Sequence, residues 1–454
     1  MGTRGLLVAT VLLAALGGLV WWSNKAKEAE DKQPSKDAPP KILTLQEDQI
    51  QQIAINRKEG ESIIVRKGDN GSWQITAPQI LPADQDAVKG MLSTLASLSS
   101  DRLVEEKTSD LTAYGLAAPA TKVVVTMKDG KTQTIAIGDE TPTGSGAFVK
   151  LEADPRIFTL ATYNKSSLDK KVNDLRDRRL LRFESDKVTR VELAAKGQSI
   201  EFGKNAKNEW TILKPRPLRA DNFQAEELVR KLREAKMDLS VTGEESKKAA
   251  AAYASGTPVA TAKITDNTGT QQVEIRRDKD KNYYAKSTAV DGIFKVTSDL
   301  GDGVDKSLDD FRNKKLFDFG FNDPTKVEVK DGAKVYSFQK SSDKWMAGSK
   351  QMDSVSVQSL IDKLRDLSSI KFLDTAGGSP LLELLVTSQD GKSTEKVFVT
   401  KQGNSYSARR ENEPAFYEID GKIVEEIQKA AADVKEPETK KEEKKDEKKD
   451  DKKK

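Results

Sequence analysis

A tryptophan, a proline and an Ala-Asp pair recur along this chain at a nearly fixed interval, and that interval limits what it can fold into. "GSWQITAPQILPAD" at 71–84 returns as "NEWTILKPRPLRAD" at 208–221. Trp73 and Trp210 are 137 residues apart, as are Pro78 and Pro215, and Asp84 and Asp221. A weaker copy, "DKWMAGSKQMD" at 343–353, puts Trp345 135 residues after Trp210 and Asp353 132 residues after Asp221. The period is far longer than a solenoid repeat of roughly 20–50 residues, so each copy is large enough to be a domain with its own core. A chain of 454 residues has room for three.

Each copy reads the same way. "QIAI" at 52–55 and "SIIVRK" at 62–67 form strands around a Glu59-Gly60 turn, and "SWQIT" at 72–76 is the next strand. Asp84 then starts a helix in which Val88, Met91, Leu92, Leu95 and Leu98 recur at helical spacing. Asp221, three residues before Gln224, and Asp353 start the corresponding helices. A cap explains these aspartates, because a carboxylate there accepts the free N–H groups of the first turn, worth about 1 kcal/mol. The tryptophans, on strands just before the helices, read as core residues; a ligand-stacking platform is the alternative. A hairpin follows, around Asp129-Gly130 in "TKVVVTMKDGKTQTIAIG" at 121–138, with counterparts at 260–275 and 383–399. Another strand pair and a helix near Asn164, Ser298 and Asp420 close each copy. The expected class is α+β: three tandem units of mainly antiparallel sheet with two helices each.

The expected boundaries are a flank at 1–4, a transmembrane anchor at 5–22, a disordered linker at 23–41, repeat units at 42–181, 182–316 and 317–434, and a disordered charged tail at 435–454. "GLLVATVLLAALGGLVWW" at 5–22 is uncharged and continuously apolar, at the short end for a span, with Trp21 and Trp22 at its edge. A cleaved secretory signal is the alternative reading. Residues 23–41 and 435–454 are too polar to bury a core. An anchor ahead of a large body without cysteine predicts a single-pass inner-membrane protein with its bulk in the periplasm.

Composition narrows the chemistry. The chain has no cysteine and no histidine. Thiolate chemistry and Cys-ligated metal are excluded, and the commonest general base and metal ligand is missing. A formal charge of +4 on this length gives no concentrated basic face, so no nucleic-acid partner is expected. "TGSG" at 143–146 reads as a hairpin loop, because no helix start follows it as a phosphate loop requires. "DLGDGVDKSLDD" at 299–310 lacks the alternating carboxylates of a calcium loop. No catalytic, cofactor or metal residue is assigned. The first two units end alike, in "LRDRRLLRF" at 175–183 and "FRNKKLFDF" at 311–319. Their basic residues Arg176, Arg178, Arg179, Arg312, Lys314 and Lys315 are the weak partner-binding candidates, with inter-unit salt bridges as the plainer role.

The W–P–AD pattern, with "LTAYGLAAP" at 111–119, "IGDETP" at 137–142 and "LRDRRLL" at 175–181, resembles domain-of-unknown-function family 4340. The resemblance covers about residues 45–185 best. The second unit has "AAAYASGTPVA" in place of Tyr-Gly-Leu, and the third lacks the proline and alanine after its tryptophan. It implies an anchored envelope protein, in some members encoded beside ABC-transporter components of the gliding-motility type, and it supplies no catalytic residues. The expected function is a non-enzymatic, membrane-tethered scaffold that binds an envelope protein as an accessory to an ABC-type complex. A polysaccharide- or peptidoglycan-binding adhesin using the tryptophans, and a carboxylate-dependent hydrolase, are the alternatives.

Overall fold

Alternating apolar residues make the strands. Ile53 and Ile55 stand opposite Val65 and Ile63 across one ladder and opposite Val125 and Val123 across the other, and all six are closed to water. This is the pattern of a sheet with one face on a core. The computed structural model describes residues 40–239, 243–322, 324–389, 391–411 and 413–438. The chain divides into two compact units, residues 1–178 and 179–454.

The first unit holds a nine-stranded sheet whose spatial order is Leu81–Pro82, Trp73–Ala77, Ile63–Lys67, Ile50–Arg57, Thr121–Met127, Thr132–Glu140, Gly146–Leu151, Ile157–Ala161 and Arg102–Glu105. Two meanders of consecutive strands meet through the first strand of each, and every pairing is antiparallel. The helix Gln85–Ala96 buries Val88, Met91, Leu92 and Leu95. Thr162–Leu168 is the closing helix. A small second sheet pairs Lys41–Thr44 with Ser97–Ser99, so Lys41, expected in the linker, is the first residue of a strand.

The second unit repeats this plan twice. One sheet of eight strands runs from Leu218–Arg219 to Ile293–Val296, with Arg190–Ala195 and Thr257–Asp266 paired at its centre. Another of nine runs from Lys350–Gln351 to Ser369–Leu373, with Lys326–Asp331 and Ser379–Ser388 central. All three large sheets have the same strand order, apart from the closing edge strand that the eight-stranded one lacks. The helices Asn222–Glu234 and Ser354–Asp366 correspond to Gln85–Ala96, and Ser298–Val304 and Gly421–Ala432 are the closing helices. The fold is therefore α+β with antiparallel sheets.

Three further details differ from expectation. The middle sheet carries a further helix, Gly243–Ser255, where "EESKKAAAAYAS" contains a run of alanines, the strongest helix former. Leu180 and Leu181, expected to end the first repeat, are buried in the core of the middle sheet. The tail, expected from 435, begins later: the Lys435 carbonyl accepts the Asp353 N–H at 2.8 Å. The anchor at 5–22, and most of the expected linker and tail, lie outside the described residues. Among the described residues no helix is long and apolar enough to cross a membrane.

The three tryptophans sit at one place in this plan, on the strand just before the capped helix, and are 7, 3 and 6% exposed. Replacing Trp73 with alanine is expected to cost about 3–5 kcal/mol through lost burial and the cavity left behind. Thermal melting of the full chain, with hydrogen exchange followed across residues 50–168, should show the first unit opening earlier. An unchanged first unit would remove Trp73 from the core.

Candidate functional site

Each marker aspartate has two roles. Its carboxylate caps a helix: Asp84 accepts from Asp86 N and Ala87 N at 3.0 and 3.1 Å, Asp221 from Gln224 N at 3.2 Å and Asp353 from Ser356 N at 2.8 Å. Its own N–H ties down the segment that leaves the repeat, at the carbonyls of Leu175, Phe311 and Lys435 (2.8, 2.7 and 2.8 Å). The next residue then holds the tryptophan strand. Gln85 accepts from Trp73 N at 2.8 Å and donates to Trp73 O at 2.9 Å; Asn222 accepts from Trp210 N at 2.7 Å. Gln85 and Asn222 were legible in principle, as side-chain amides 137 residues apart directly after each aspartate. Pro78 and Pro215 both follow cis peptide bonds.

The basic motif is a connector, and its candidate residues differ in exposure. In the first unit the Arg176 backbone bridges to Ala83; in the second, Arg312 bridges to Ala220 in the same way. Three residues on, Arg179 bridges to Lys236 and Lys315 to Ser368. Arg178, Lys314 and Lys315 are exposed, Arg176 and Arg179 half-buried, and Arg312 buried.

Within the second unit, the connector between the middle and last sheets meets a network of charged side chains. Arg219, on the edge strand Leu218–Arg219, donates to both oxygens of Asp318 at 2.7 Å and to the Lys315 carbonyl at 2.5 Å. It also pairs with Glu413 at 3.1 Å. Arg410 reaches the same Asp318 at 2.7 Å, Glu395 at 3.0 Å and Glu413 at 2.9 Å. Tyr417 Oη donates to Glu413 at 3.1 Å. Two guanidiniums thus serve three carboxylates. Burial pushes the Glu395 carboxyl above the ordinary glutamate range, against the pull of the Asp318 N–H and the Arg410 charge.

Two pockets flank this network. A polar one of about 560 Å³ is lined by Trp210, Asn222, Asp318, Glu395 and Arg410, among others. A more apolar one of about 370 Å³ lies beside Leu213, Leu218, Arg312 and Ala415. The tryptophan offers no stacking face to the polar pocket: it is buried, Lys204 Nζ lies 5.0 Å from its ring centre, and its Nε1 donates to Glu226 at 2.7 Å. Among the described residues, no group of His, Cys, Asp and Glu is arranged to hold a metal.

In the first unit the other signature segments pack on one another. Gly115 has φ +66°, and a Cβ there would fall 2.7 Å from Asp139 N. A Cβ on Gly138 would fall 2.1 Å from the Tyr114 carbonyl oxygen. "YGL" and "IGD" therefore require glycine because their backbones touch. In the middle sheet both glycines are gone together, and Arg276 lies 4.9 Å from the ring centre of Tyr253 instead.

A family model for DUF4340, a domain of unknown function, matches residues 73–255 and again residues 210–383. The chain belongs to the DUF4340 family. Each match begins at a repeat tryptophan, Trp73 and then Trp210, so the period read from the sequence is also the family's phase. No curated protein and no solved structure matches the chain.

The ion network is what reading this DUF4340 chain as a sequence missed. Its members come from segments as far apart as Arg219 and Glu413, and the repeat does not preserve them. Where the last sheet has Glu395 accepting the Asp318 N–H at 2.7 Å, the middle sheet has Gln271 accepting the Arg182 N–H at 2.7 Å.

Arg219→Ala removes the guanidinium that joins Asp318 to Glu413. The group is 19% exposed, between the surface and buried cases, so a loss of about 2–3 kcal/mol is expected. Denaturant unfolding measures it, and a change under about 0.5 kcal/mol, the surface-pair range, would reduce the network to ornament.

Glu395→Gln acts in the other direction. A carboxyl with a raised folded pKa binds its proton more tightly when folded, so its contribution to stability is largest at low pH. It is lost as pH rises from the ordinary glutamate value, about 4.3, through the higher folded one. Glutamine keeps the acceptor, as Gln271 does, and leaves two guanidiniums facing two carboxylates. The variant should gain on wild type as pH rises above about 4.3, and the gain should level off once the pH has passed the folded pKa. A gain that grows towards acid would reverse the assigned shift.

Proposed function

We propose that this DUF4340 protein is a membrane-tethered, non-enzymatic scaffold of the bacterial envelope. Its repeated sheet units bind another protein, and an ABC-type membrane complex is the partner the resemblance suggests. The carrying observation is where the signature residues are spent. Tryptophans fill cores, aspartates cap helices and anchor exit segments, glycines let backbones touch, and the carboxylates of the charged network are held by arginines. A repeated unit whose shared residues all maintain architecture offers its partners surfaces rather than a reaction centre. The apolar stretch 5–22 supports tethering.

One observation favours the hydrolase reading: Glu395, with its raised pKa, lines the 560 Å³ pocket beside Asp318, as a general acid would. Against it, Glu395 accepts the Asp318 N–H and pairs with Arg410. The adhesin reading needs exposed indole faces, and the three rings are buried.

Protease added to cells with a permeabilised outer membrane should degrade the folded body, while full protection would end the envelope assignment. In the same membranes, crosslinking and affinity purification should recover ABC-type subunits. Recovery of glycan fragments alone would move the adhesin reading to first place.

A further inference from the structure

The apolar pocket of about 370 Å³ contains a buried cation that the charged network does not use. Arg312 is 6% exposed and lines the pocket wall. Its Nη1 donates to Asp309 at 3.2 Å, and its guanidinium carbon lies 3.6 Å from the centre of the Phe372 ring. Its Nη2 is buried and has no hydrogen-bond partner among the described residues. A buried donor left without an acceptor costs stability, more so on a charged group, and here desolvation lowers the Arg312 pKa despite Asp309. Arg216 also lies close enough to disfavour the Arg312 charge, and its carboxylate contact, Asp374, is distant at 3.9 Å and fully exposed.

The apolar part of the wall is Ile212, Leu213, Pro217 and Leu218 on one side and Pro414 and Ala415 on the other, and Thr211, Asn313, Tyr417 and Arg219 add polar groups. Leu213, 43% exposed, stands among the few exposed large apolar side chains. Glu413 also lines the pocket but is committed to Arg219 and Arg410. Its charge disfavours a dianion such as phosphate. The lining charges, Arg219 and Arg312 against Glu413, leave one positive charge, and with the apolar walls they specify a monoanion on an apolar body. The volume lies at the lower end for small-ligand pockets.

We infer that this pocket, between the Trp210–Lys214 strand and the 413–417 segment of the second unit, binds a small amphipathic carboxylate with its head on Arg312 and its apolar chain against Leu213, Leu218 and Ala415. This site is independent of the scaffold reading and can fail without it. The probe is octanoate carrying a diazirine at the end of its chain, photolysed with the full chain and mapped by peptide mass spectrometry. Label is expected in residues 211–219 and 413–417, displaced by octanoate and not by octanol. Arg312→Leu should cut that label roughly tenfold or more, the affinity lost with one charge-assisted hydrogen bond. Leu213→Asp, at the exposed rim, should do the same without shifting the melting temperature. If Arg312→Leu melts early, Leu213→Asp decides alone. Label confined to residues 5–22, equal displacement by octanol, or label retained in Leu213→Asp would each overturn the site.

Discussion

The three sheets depend on the aspartate that follows each tryptophan strand. An aspartate at a helix start normally satisfies N–H groups of the first turn and nothing more. Here its own N–H also holds the carbonyl of a residue that closes the repeat, 91 residues on in the first unit (Asp84 to Leu175) and 90 in the middle sheet (Asp221 to Phe311). One residue therefore fixes the helix start and the exit of the chain at once. The amide of Gln85 or Asn222 adds the tryptophan strand to the same point. Strand, helix and exit segment converge there, and losing the aspartate would release more than its cap.

A second backbone bond sets where the chain enters. The N–H of Leu45 meets the carbonyl of Ala96, that of Leu180 meets Ala235, and that of Leu316 meets Leu367, at 3.1, 2.8 and 3.0 Å. Each acceptor lies at the C-terminal end of the capped helix, where carbonyls have no partner within the helix. The entering segment supplies it. The same helix thus receives the incoming chain at one end and, through its cap, holds the outgoing chain at the other. This explains why the connector motif repeats with its neighbours: the leucine after its basic run has a fixed acceptor, and the residue before it has a fixed donor.

These bonds divide what the sequence discloses from what it conceals. Tryptophan and aspartate were legible because their roles are local and identical in each copy, so the period exposes them. The helices followed from apolar spacing, with Val88, Met91, Leu92 and Leu95 all buried. The helix Gly243–Ser255 broke the pattern, because the middle repeat replaces its Tyr-Gly-Leu turn with an alanine-rich run. The basic candidates were read as one class, yet their exposure divides them. Arg312 is buried while Lys314 and Lys315 face water, a difference that their shared charge does not disclose. The network around Arg219 had no sequence signal, since its partners come from separate segments and change identity between repeats.

That change of identity shows what the charges do. Gln271 and Glu395 occupy the same place, each accepting one backbone N–H at 2.7 Å. Gln271 also donates to the Arg182 carbonyl at 2.5 Å, a reciprocal pair complete in itself. The backbone therefore needs only an amide there, and a buried carboxylate is the costlier choice. The charge at Glu395 has a use beyond the backbone, because it meets Arg410, which meets Asp318, which meets Arg219 on the neighbouring sheet. An amide pair closes on itself, whereas a carboxylate needs a cation and extends the chain of contacts. The last two repeats are joined through Asp318 and Glu413, which both meet Arg219, and a charged Glu395 adds a third carboxylate to that network where the middle sheet has a closed amide pair.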